Sequence, residues 1–562
     1  LLHHSITPSD SSLMNMIAND KRSPRVRGVS DSEADHRGRV EFALSDPTFY
    51  PHPVGKIQIE ETHISKVFLT GDIVYKVKKP VNLGFLDFST LEKRHHYCEQ
   101  EVLLNQRLSQ DVYLDVVAIT REPGSYALNG PGETVEYAVK MRQLPREKTM
   151  LELLRQRKLG PAMLQELVHV LSHFYEKTRK GPEIDAMGGP KMIEVNTEED
   201  FTQTAPFVPK ILDQGNFSRM HQAVHAFLCD HEQLFQRRIE TGRICDCHGD
   251  LRLGHIYFVD GIQIIDCIEF NERFRYGDVA SDLAFLVMDL DHHGFPDVGH
   301  TLLTGYVRAA SDPEVFLLLD FYKCYRAHVR CKVECLRQAA GDLSGEKARL
   351  LVVRAQRHFE LAYKYATSFS RRTLWVVCGL SGSGKSTIAT ELAKRMSVRI
   401  LNSDIIRKKF FGLKVDQPSV ARFGEGIYTQ VATAQTYERM LLETRRELFI
   451  GNSVILDATF GSRQRRELFR CLAEEMGANM IFVECICPDT VLRKRLSKRK
   501  DKKSVSDARM QHLEAQRQTF EVLSELDDSI HLQVTTNQPL QQSLEQISTA
   551  AYLLRNDQAQ SS

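Results

Sequence analysis

Residues 379–386 read Gly-Leu-Ser-Gly-Ser-Gly-Lys-Ser, a full match to the phosphate-binding pattern GxxxxGK[ST]. The apolar run Leu374–Cys378 precedes the motif and the helical pattern TIATELAKRM follows it, so the loop joins a strand to a helix start. Gly379, Gly382 and Gly384 let backbone N–H groups close around a polyphosphate, with Ser381, Ser383 and Thr387 in the same binding segment. Lys385 neutralises β- and γ-phosphate oxygens, and the Ser386 hydroxyl is placed on Mg²⁺ at the helix N-terminus. The ligands expected here are ATP and Mg²⁺.

The next strand-like run ends in Asn402-Ser403-Asp404-Ile405-Ile406-Arg407. An acid at a strand's carboxyl edge faces the phosphate crevice, where Asp404 can accept the proton of an attacking hydroxyl. The alternative is a helix N-cap at Asp404 with Arg407 solvated. In the first reading Arg407, three residues on, shares the helical face and clamps the acceptor or its phosphate. A third strand ends at Asp457, in the place of an acid that holds Mg²⁺ or its water. Arg493, Arg495 and Arg499 in VLRKRLSKRK have the spacing of a basic lid over the transferring phosphoryl group, or else form a solvated face or a nucleic-acid patch. The P-loop, SDxxR, ILDATF and the RLxxR helix together resemble the P-loop kinase group that includes polynucleotide 5′-kinases, zeta-toxin kinases and gluconate kinases, over about 373–530. The resemblance implies Asp404 as acceptor base and arginines, Arg407, Arg495 and Arg499 among them, that clamp phosphate. Acceptors in that group range from sugars to nucleic-acid ends.

A second constellation reads His248-Gly249-Asp250-Leu251-Arg252-Leu253-Gly254-His255 and is followed by a short hairpin ending in Ile265-Asp266-Cys267-Ile268-Glu269-Phe270-Asn271. The hairpin brings two acids together: one carboxylate orients or deprotonates a hydroxyl and the other ligates Mg²⁺. The pattern resembles the aminoglycoside phosphotransferase family, which has a protein-kinase-like bilobal fold. That resemblance implies Asp250 as catalytic acid or base and Asp266 as metal ligand. It places His255 where the family's second metal ligand is Asn, and imidazole suits softer metals than Mg²⁺. Glu269 or Asn271 is an alternative ligand there.

The resemblance also implies that Ile73–Lys78 is the strand bearing the ATP-phosphate lysine, with Lys76 paired to Glu101. Lys78 points to the same strand face and leaves that choice open by one alternation. Gly277–Leu283 resembles a segment whose acids are structural, with Asp278 a cap and Asp282 an internal acceptor. The resemblance covers about 55–365. The stretches VYKVKKPVNLGFLDFSTLEKR, HGDLRLGH, IEFN and DVASDLAFLVMDL, with the P-loop segment behind them, resemble the bacterial bifunctional aminoglycoside phosphotransferase/ATP-binding proteins.

Both constellations need scaffolds, and the pattern supplies them. β-rich runs over about 54–145, among them Lys66–Leu69, Ile73–Lys78 and Thr134–Met141, with a helix at about 90–108, predict a small α+β lobe. Helical periodicity dominates about 147–365, as in Met150–Arg157, Ala162–Thr178, Phe217–Glu240 and the long stretch Pro313–Gln338. From Thr373 to about 550, apolar strands alternating with helices predict a parallel sheet flanked by helices. The expected fold class is therefore α+β followed by α/β, multidomain. Residues 1–45 are too polar to bury a core and are expected as a disordered tail, with a flexible tail at 555–562.

The 562 residues carry Lys+Arg 74 against Asp+Glu 73, a formal charge of +1, so no global field holds a nucleic-acid backbone or an anionic membrane. No apolar run is long enough to span a bilayer, and the opening LLHHSITPSD shows no secretory signal. Twelve cysteines without a CxxC pair are expected reduced and cytosolic. The function expected is ATP-dependent phosphotransfer at two nucleotide sites to small-molecule hydroxyl acceptors, in the cytoplasm. Two alternatives stay open: an ATP-binding regulatory protein with a degenerate first domain, and a nucleic-acid 5′-end kinase. Acceptor identity, coupling between the sites and oligomeric state are left open by composition.

Overall fold

The computed structural model describes residues 31–62, 64–340, 345–414, 425–498 and 510–561. The chain divides into two compact units, one holding the residues through Lys180 with Cys245–Gly277, the other Gly181–Ile244 with everything from Asp278 on. The helices beyond Gly181 thus share a unit with the P-loop segment, a grouping different from the sequence division at 365/373.

The first unit is built on an antiparallel sheet of strands β1 (Gln58–Glu61), β2 (Ser65–Leu69), β3 (Ile73–Lys78), β4 (Tyr113–Glu122), β5 (Ser125–Leu128) and β6 (Glu133–Arg142), in the order β1-β2-β3-β6-β4-β5. Gly71, at φ +113, closes the β2–β3 hairpin at the turn its sequence marks. The tail expectation fails for helix α1 (Asp31–Leu44), because Val40 and Leu44, four apart on one face, join Tyr50, Phe68 and Tyr75 in a core cluster. Residues 1–30 lie outside the described residues. Helix α2 (Leu91–Asn105) starts at the Thr90 cap and buries Arg94, Cys98, Glu101 and Asn105 along one stripe. Cys98 packs with Val74, Val112, Tyr113, Val139 and Met141, so the same packing that buries the thiol carries Glu101 out of water and obliges it to find a cation. The second constellation sits beside a hairpin of β7 (Ile256–Phe258) and β8 (Ile262–Ile264), turned by Asp260 and Gly261 at φ +50 and +90.

In the second unit the helical stretch over 217–240 is divided at His231 into Gln214–Asp230 and α3 (Glu232–Glu240). Helices α4 (Val279–His292), α5 (Val315–Ala339) and α6 (Gly345–Ser370) follow. Strands β9 (Thr373–Cys378), β10 (Arg399–Asn402), β11 (Val454–Asp457), β12 (Asn479–Ile486) and β13 (His531–Thr535) form a parallel sheet ordered β10-β11-β9-β12-β13. Leu374, Val376 and Cys378 face one core while Trp375 and Val377 face another, so both sides are buried and the strand reads as a continuous apolar run. The polar edge strand β13 has no such run and was not legible. Around the sheet lie α7 (Lys385–Met396), α8 (Ser403–Phe410), α9 (Gln430–Phe449), α10 (Arg463–Glu475), α11 (Asp489–Lys498), α12 (Met510–Thr519) and α13 (Leu540–Ser561). The expected flexible tail over 555–562 is instead the continuation of α13 as far as Ser561. No helix among the described residues is long and apolar enough to cross a membrane.

Candidate functional sites

In the second unit β9 delivers the chain to the phosphate loop. Gly379 has φ +130, and a Cβ there would stand 2.5 Å from the Cys485 carbonyl oxygen, so only glycine fits between the loop and β12. Gly382 and Gly384 are also left-handed, at φ +88 and +96. Lys385 and Ser386 open α7 directly behind them. Ser381 and Ser383 are buried in the loop, and the Ser383 hydroxyl has no hydrogen-bond partner among the described residues. The Ser381 N–H donates to Gln516 Oε1 of α12 at 3.0 Å. Thr387 lies exposed on α7, its N–H already given to the Gly384 carbonyl at 3.0 Å.

Asp457 stands at the end of β11 beside the loop. Burial raises its pKa, against the pull of Lys385, Ser386 and Asn402. Asn402 Nδ2 donates to its Oδ2 at 2.5 Å, while Oδ1 has no hydrogen-bond partner among the described residues. A buried carboxylate oxygen left open next to a loop lysine and serine suits a Mg²⁺ ion or its water.

Asn402 has a second task. Its Oδ1 accepts the N–H groups of Asp404 and Ile405 at 2.9 and 3.0 Å, so it is Asn402 that caps α8. The N-cap reading of Asp404 is therefore corrected, and its carboxylate instead receives Arg407 Nη1 at 2.8 Å. Nor is Arg407 solvated: it is 7% exposed and its guanidinium lies 4.9 Å from the Tyr428 ring centre. Arg495 is likewise held down, with Nη1 on the Gly382 carbonyl at 3.3 Å and on Thr536 Oγ1 at 3.1 Å, and Nη2 on the Thr536 carbonyl. Thr536 in turn donates to the Ser383 carbonyl. Arg493 is the solvated member, paired to Asp489 and Glu514 at the surface. Arg499 lies outside the described residues.

In the first unit Lys76 and Lys78 project from one face of β3 and share Glu101, at 2.7 Å from Oε1 and 2.6 Å from Oε2. Their other partners separate them. Lys76 reaches Asp266 Oδ1 at 2.6 Å, whereas Lys78 is fully buried against Glu269 and the Phe88 ring. The alternation is thus resolved in favour of Lys76 as the lysine beside the expected metal ligand. Burial opposes its charge, but Asp266 and then Glu101 outweigh that and hold its ammonium well above the usual lysine range. Asp266 is correspondingly held well below the usual carboxylate range: burial raises it, and Lys76, then His255, overcome that. Tyr113 Oη accepts the Asp266 N–H at 3.1 Å and Asn105 Oδ1 the Cys267 N–H at 2.9 Å, which fixes the segment.

Asp250 is engaged on both oxygens, by Arg252 Nε at 2.7 Å and Nη2 at 2.8 Å. The alternative ligands have partners of their own. Glu269 is spent on Lys78, and Asn271 caps Arg273 at 3.0 Å while donating to the Phe85 carbonyl at 2.9 Å. In the second unit Asp278 caps α4 through the Ala280 N–H at 2.8 Å and receives Arg238 at 2.7 Å, the structural part expected of it.

Residues 198–318 match the model of the phosphotransferase enzyme family, and residues 374–523 match that of an AAA domain. An uncharacterized protein of Mycobacterium tuberculosis is 31% identical over 465 residues, covering 81% of this chain and 90% of the relative, and one of Mycobacterium bovis matches equally. The chain belongs to the family that fuses a phosphotransferase-type segment to a P-loop kinase-like segment. Among solved structures, a choline/ethanolamine kinase family protein of Mesorhizobium loti aligns with 59% of this chain and 99% of its own at 13% identity and TM-score 0.35. A gluconokinase of Sinorhizobium meliloti aligns with 34% of this chain and 100% of its own at 22% identity and TM-score 0.25.

For this fused phosphotransferase/P-loop chain the structure brings Lys385, Ser386, Asp404, Arg407, Asp457 and Arg495 to the carboxyl edge of one sheet. It gathers Lys76, Glu101, Asp250, His255 and Asp266 in the other unit. Sequence reading missed Asn402, Gln516 and Thr536. It also missed Tyr437, whose hydroxyl accepts the Phe460 N–H at 3.1 Å and whose ring lies 4.6 Å from Arg465. Of these, Asn402 alone had a signal, being an N-cap type residue at a strand-to-helix junction.

Proposed function

We propose that this chain is an ATP-dependent phosphotransferase with two nucleotide sites, and that the P-loop site moves the γ-phosphoryl of ATP to a small-molecule hydroxyl. The observation that carries this reading is Asp404: relieved of capping by Asn402, its carboxylate is aimed by a buried arginine at the same sheet edge as Lys385 and Asp457.

The loop amides and Lys385 would hold the β- and γ-phosphates, and Ser386 and Asp457 the metal. Bound Mg²⁺ supplies charge neutralisation on the phosphate oxygens. Asp404 takes the acceptor's proton while Arg407 fixes its carboxylate, and Arg495, pinned to the loop, lies close enough to offset developing negative charge. The formal charge of +1 favours a small acceptor over a nucleic-acid end. In the first unit Lys76 and Asp266 would bind the second nucleotide.

The test is Mg²⁺-dependent ATP consumption by the full chain with and without a pooled metabolite extract. Lys385→Ala is expected to lower extract-stimulated turnover at least ~100-fold, and Asp404→Asn by about 10²- to 10⁴-fold with nucleotide affinity retained. Turnover that persists in Asp404→Asn would sink the base assignment. A second reading, in which the first unit binds ATP as a regulatory scaffold, is favoured by the doubly engaged Asp250. It is supported if Asp250→Ala leaves turnover untouched while Lys385→Ala abolishes it.

A further inference from the structure

The expectation that His255 ligates a metal meets a difficulty of proton placement. His255 Nδ1 lies 2.9 Å from the backbone carbonyl of Asp250, and a carbonyl can only accept, so Nδ1 carries the ring proton. That leaves Nε2 as the acceptor nitrogen of a neutral ring. Nε2 is 2.9 Å from Arg252 Nη2, which can only donate. The one lone pair His255 could offer a cation is therefore given to a guanidinium N–H. The same Nη2 and the neighbouring Nε hold both oxygens of Asp250, at 2.8 and 2.7 Å. Arg252 thus fills the space between the carboxylate of Asp250 and the ring nitrogen His255 would turn to a second metal ion. On the other side of the ring, Asp266 Oδ2 is 3.7 Å from Nε2, and Asp266 keeps a carboxylate oxygen not used by Lys76.

We propose that the first unit is a single-metal site in which the Arg252 guanidinium, bridging Asp250 and His255, stands where a second divalent ion would otherwise be bound, and Asp266 alone among the described side chains ligates metal. The proposal rests on the reading of this unit as a nucleotide site. A planar monovalent cation with fixed N–H directions differs from a metal ion in two ways. It makes the charge around the phosphates lower by one unit, and it ties up Asp250 as a proton acceptor until the guanidinium rotates away. Nucleotide retention is undisturbed by either, whereas phosphoryl transfer is slowed by both.

The measurement is equilibrium dialysis of the full chain against Mn²⁺ and AMP-PNP, counting bound Mn²⁺ per bound nucleotide. The P-loop site is silenced by Lys385→Ala with Asp457→Asn. One Mn²⁺ per nucleotide is expected in that background, falling at least ~10-fold in Mn²⁺ affinity with Asp266→Asn, since a carboxylate ligand is lost. Adding Arg252→Gln is expected to raise the count to two, while Arg252→Lys, which keeps a cation in place, leaves it at one. Two Mn²⁺ with Arg252 intact would overturn the proposal, as would one Mn²⁺ both with and without the arginine. If the silenced chain binds no AMP-PNP at all, the nucleotide reading of this unit fails and the proposal falls with it. A correct count with no ATP turnover supports the proposal and counts only against phosphotransfer in this unit.

Discussion

Lys76 and Lys78 differ by two positions on one strand face, yet their surroundings give them different work. Lys78, 1% exposed, is locked between Glu101 and Glu269, and removing it takes the ion-pair partner from the buried Glu269 while Glu101 keeps Lys76. Lys78→Met is expected to destabilise the first unit by about 3–5 kcal/mol, read from denaturant midpoints. Lys76→Met still leaves Lys78 on Glu101, so a smaller stability loss is expected, together with a roughly 10- to 100-fold weaker nucleotide affinity from the lost charge-assisted contact. Equal stability losses in the two variants would contradict this division. Such distinctions were not legible in the sequence, where both lysines share a face and the partner acids lie far along the chain.

At the scale of elements, the edge strand β13 does more than finish a sheet. Its exit residue Thr536 links the Ser383 carbonyl to Arg495, so β13 and α11 brace the phosphate loop from behind. Thr536→Val keeps the shape and removes the hydroxyl. It should cost about 1–3 kcal/mol by urea unfolding and raise the nucleotide Kd at the P-loop several-fold. A second element-level effect concerns α5. His328 is buried among Phe201, Phe217 and Thr204, and burial, then Lys332 and His221, bring its pKa down to about 3. Its folded value lies below the unfolded value of about 6.5, so the unfolded chain binds the proton first and stability is lost as pH falls below that value. Between pH 6.5 and 5.5 the second unit should lose about 1 kcal/mol through this residue. His328→Phe should flatten that part of the pH profile. An unchanged slope would mean that His328 protonates in the fold.

Within the second unit the helices before Thr373 and the P-loop segment are joined by side chains from both parts. Lys323 of α5, 2% exposed in its side chain, holds Asp291 at 3.2 Å and Asp320 at 3.1 Å and donates to Tyr552 Oη of α13 at 3.0 Å. Phe316 packs on the same tyrosine. From α3, Arg237 donates to the Lys394 and Arg395 carbonyls, capping the far end of the very helix that Lys385 begins. Lys323→Ala should therefore cost about 3–5 kcal/mol, because two acids lose their cation, and the loss should appear in a single cooperative transition of helices and sheet together. A nucleotide bound at the P-loop should raise that same transition. Two separate transitions by calorimetry would show that the parts fold independently.

Sequence alone determined the features whose information is local. The P-loop is set by glycines that must take positive φ, the hairpin after HGDLRLGH by Asp260-Gly261, and the parallel sheet by apolar runs alternating with helical periods. Residue types at fixed short spacing carry these, so Lys385, Asp404, Asp457, Asp250 and Asp266 could be named before any fold was seen. The short tail helix α1 and the polar strand β13 escaped because tertiary packing, and not their own pattern, makes them regular. Tertiary structure alone decided which side chain meets which: that Lys76 and not Lys78 faces Asp266, that Asn402 frees Asp404 from capping, that Thr536 meets Ser383 across 153 positions and Tyr552 meets Lys323 across 229. The physical reason is that ion pairs and hydrogen bonds depend on distances of a few ångströms, which are fixed only when burial of apolar faces brings remote segments together.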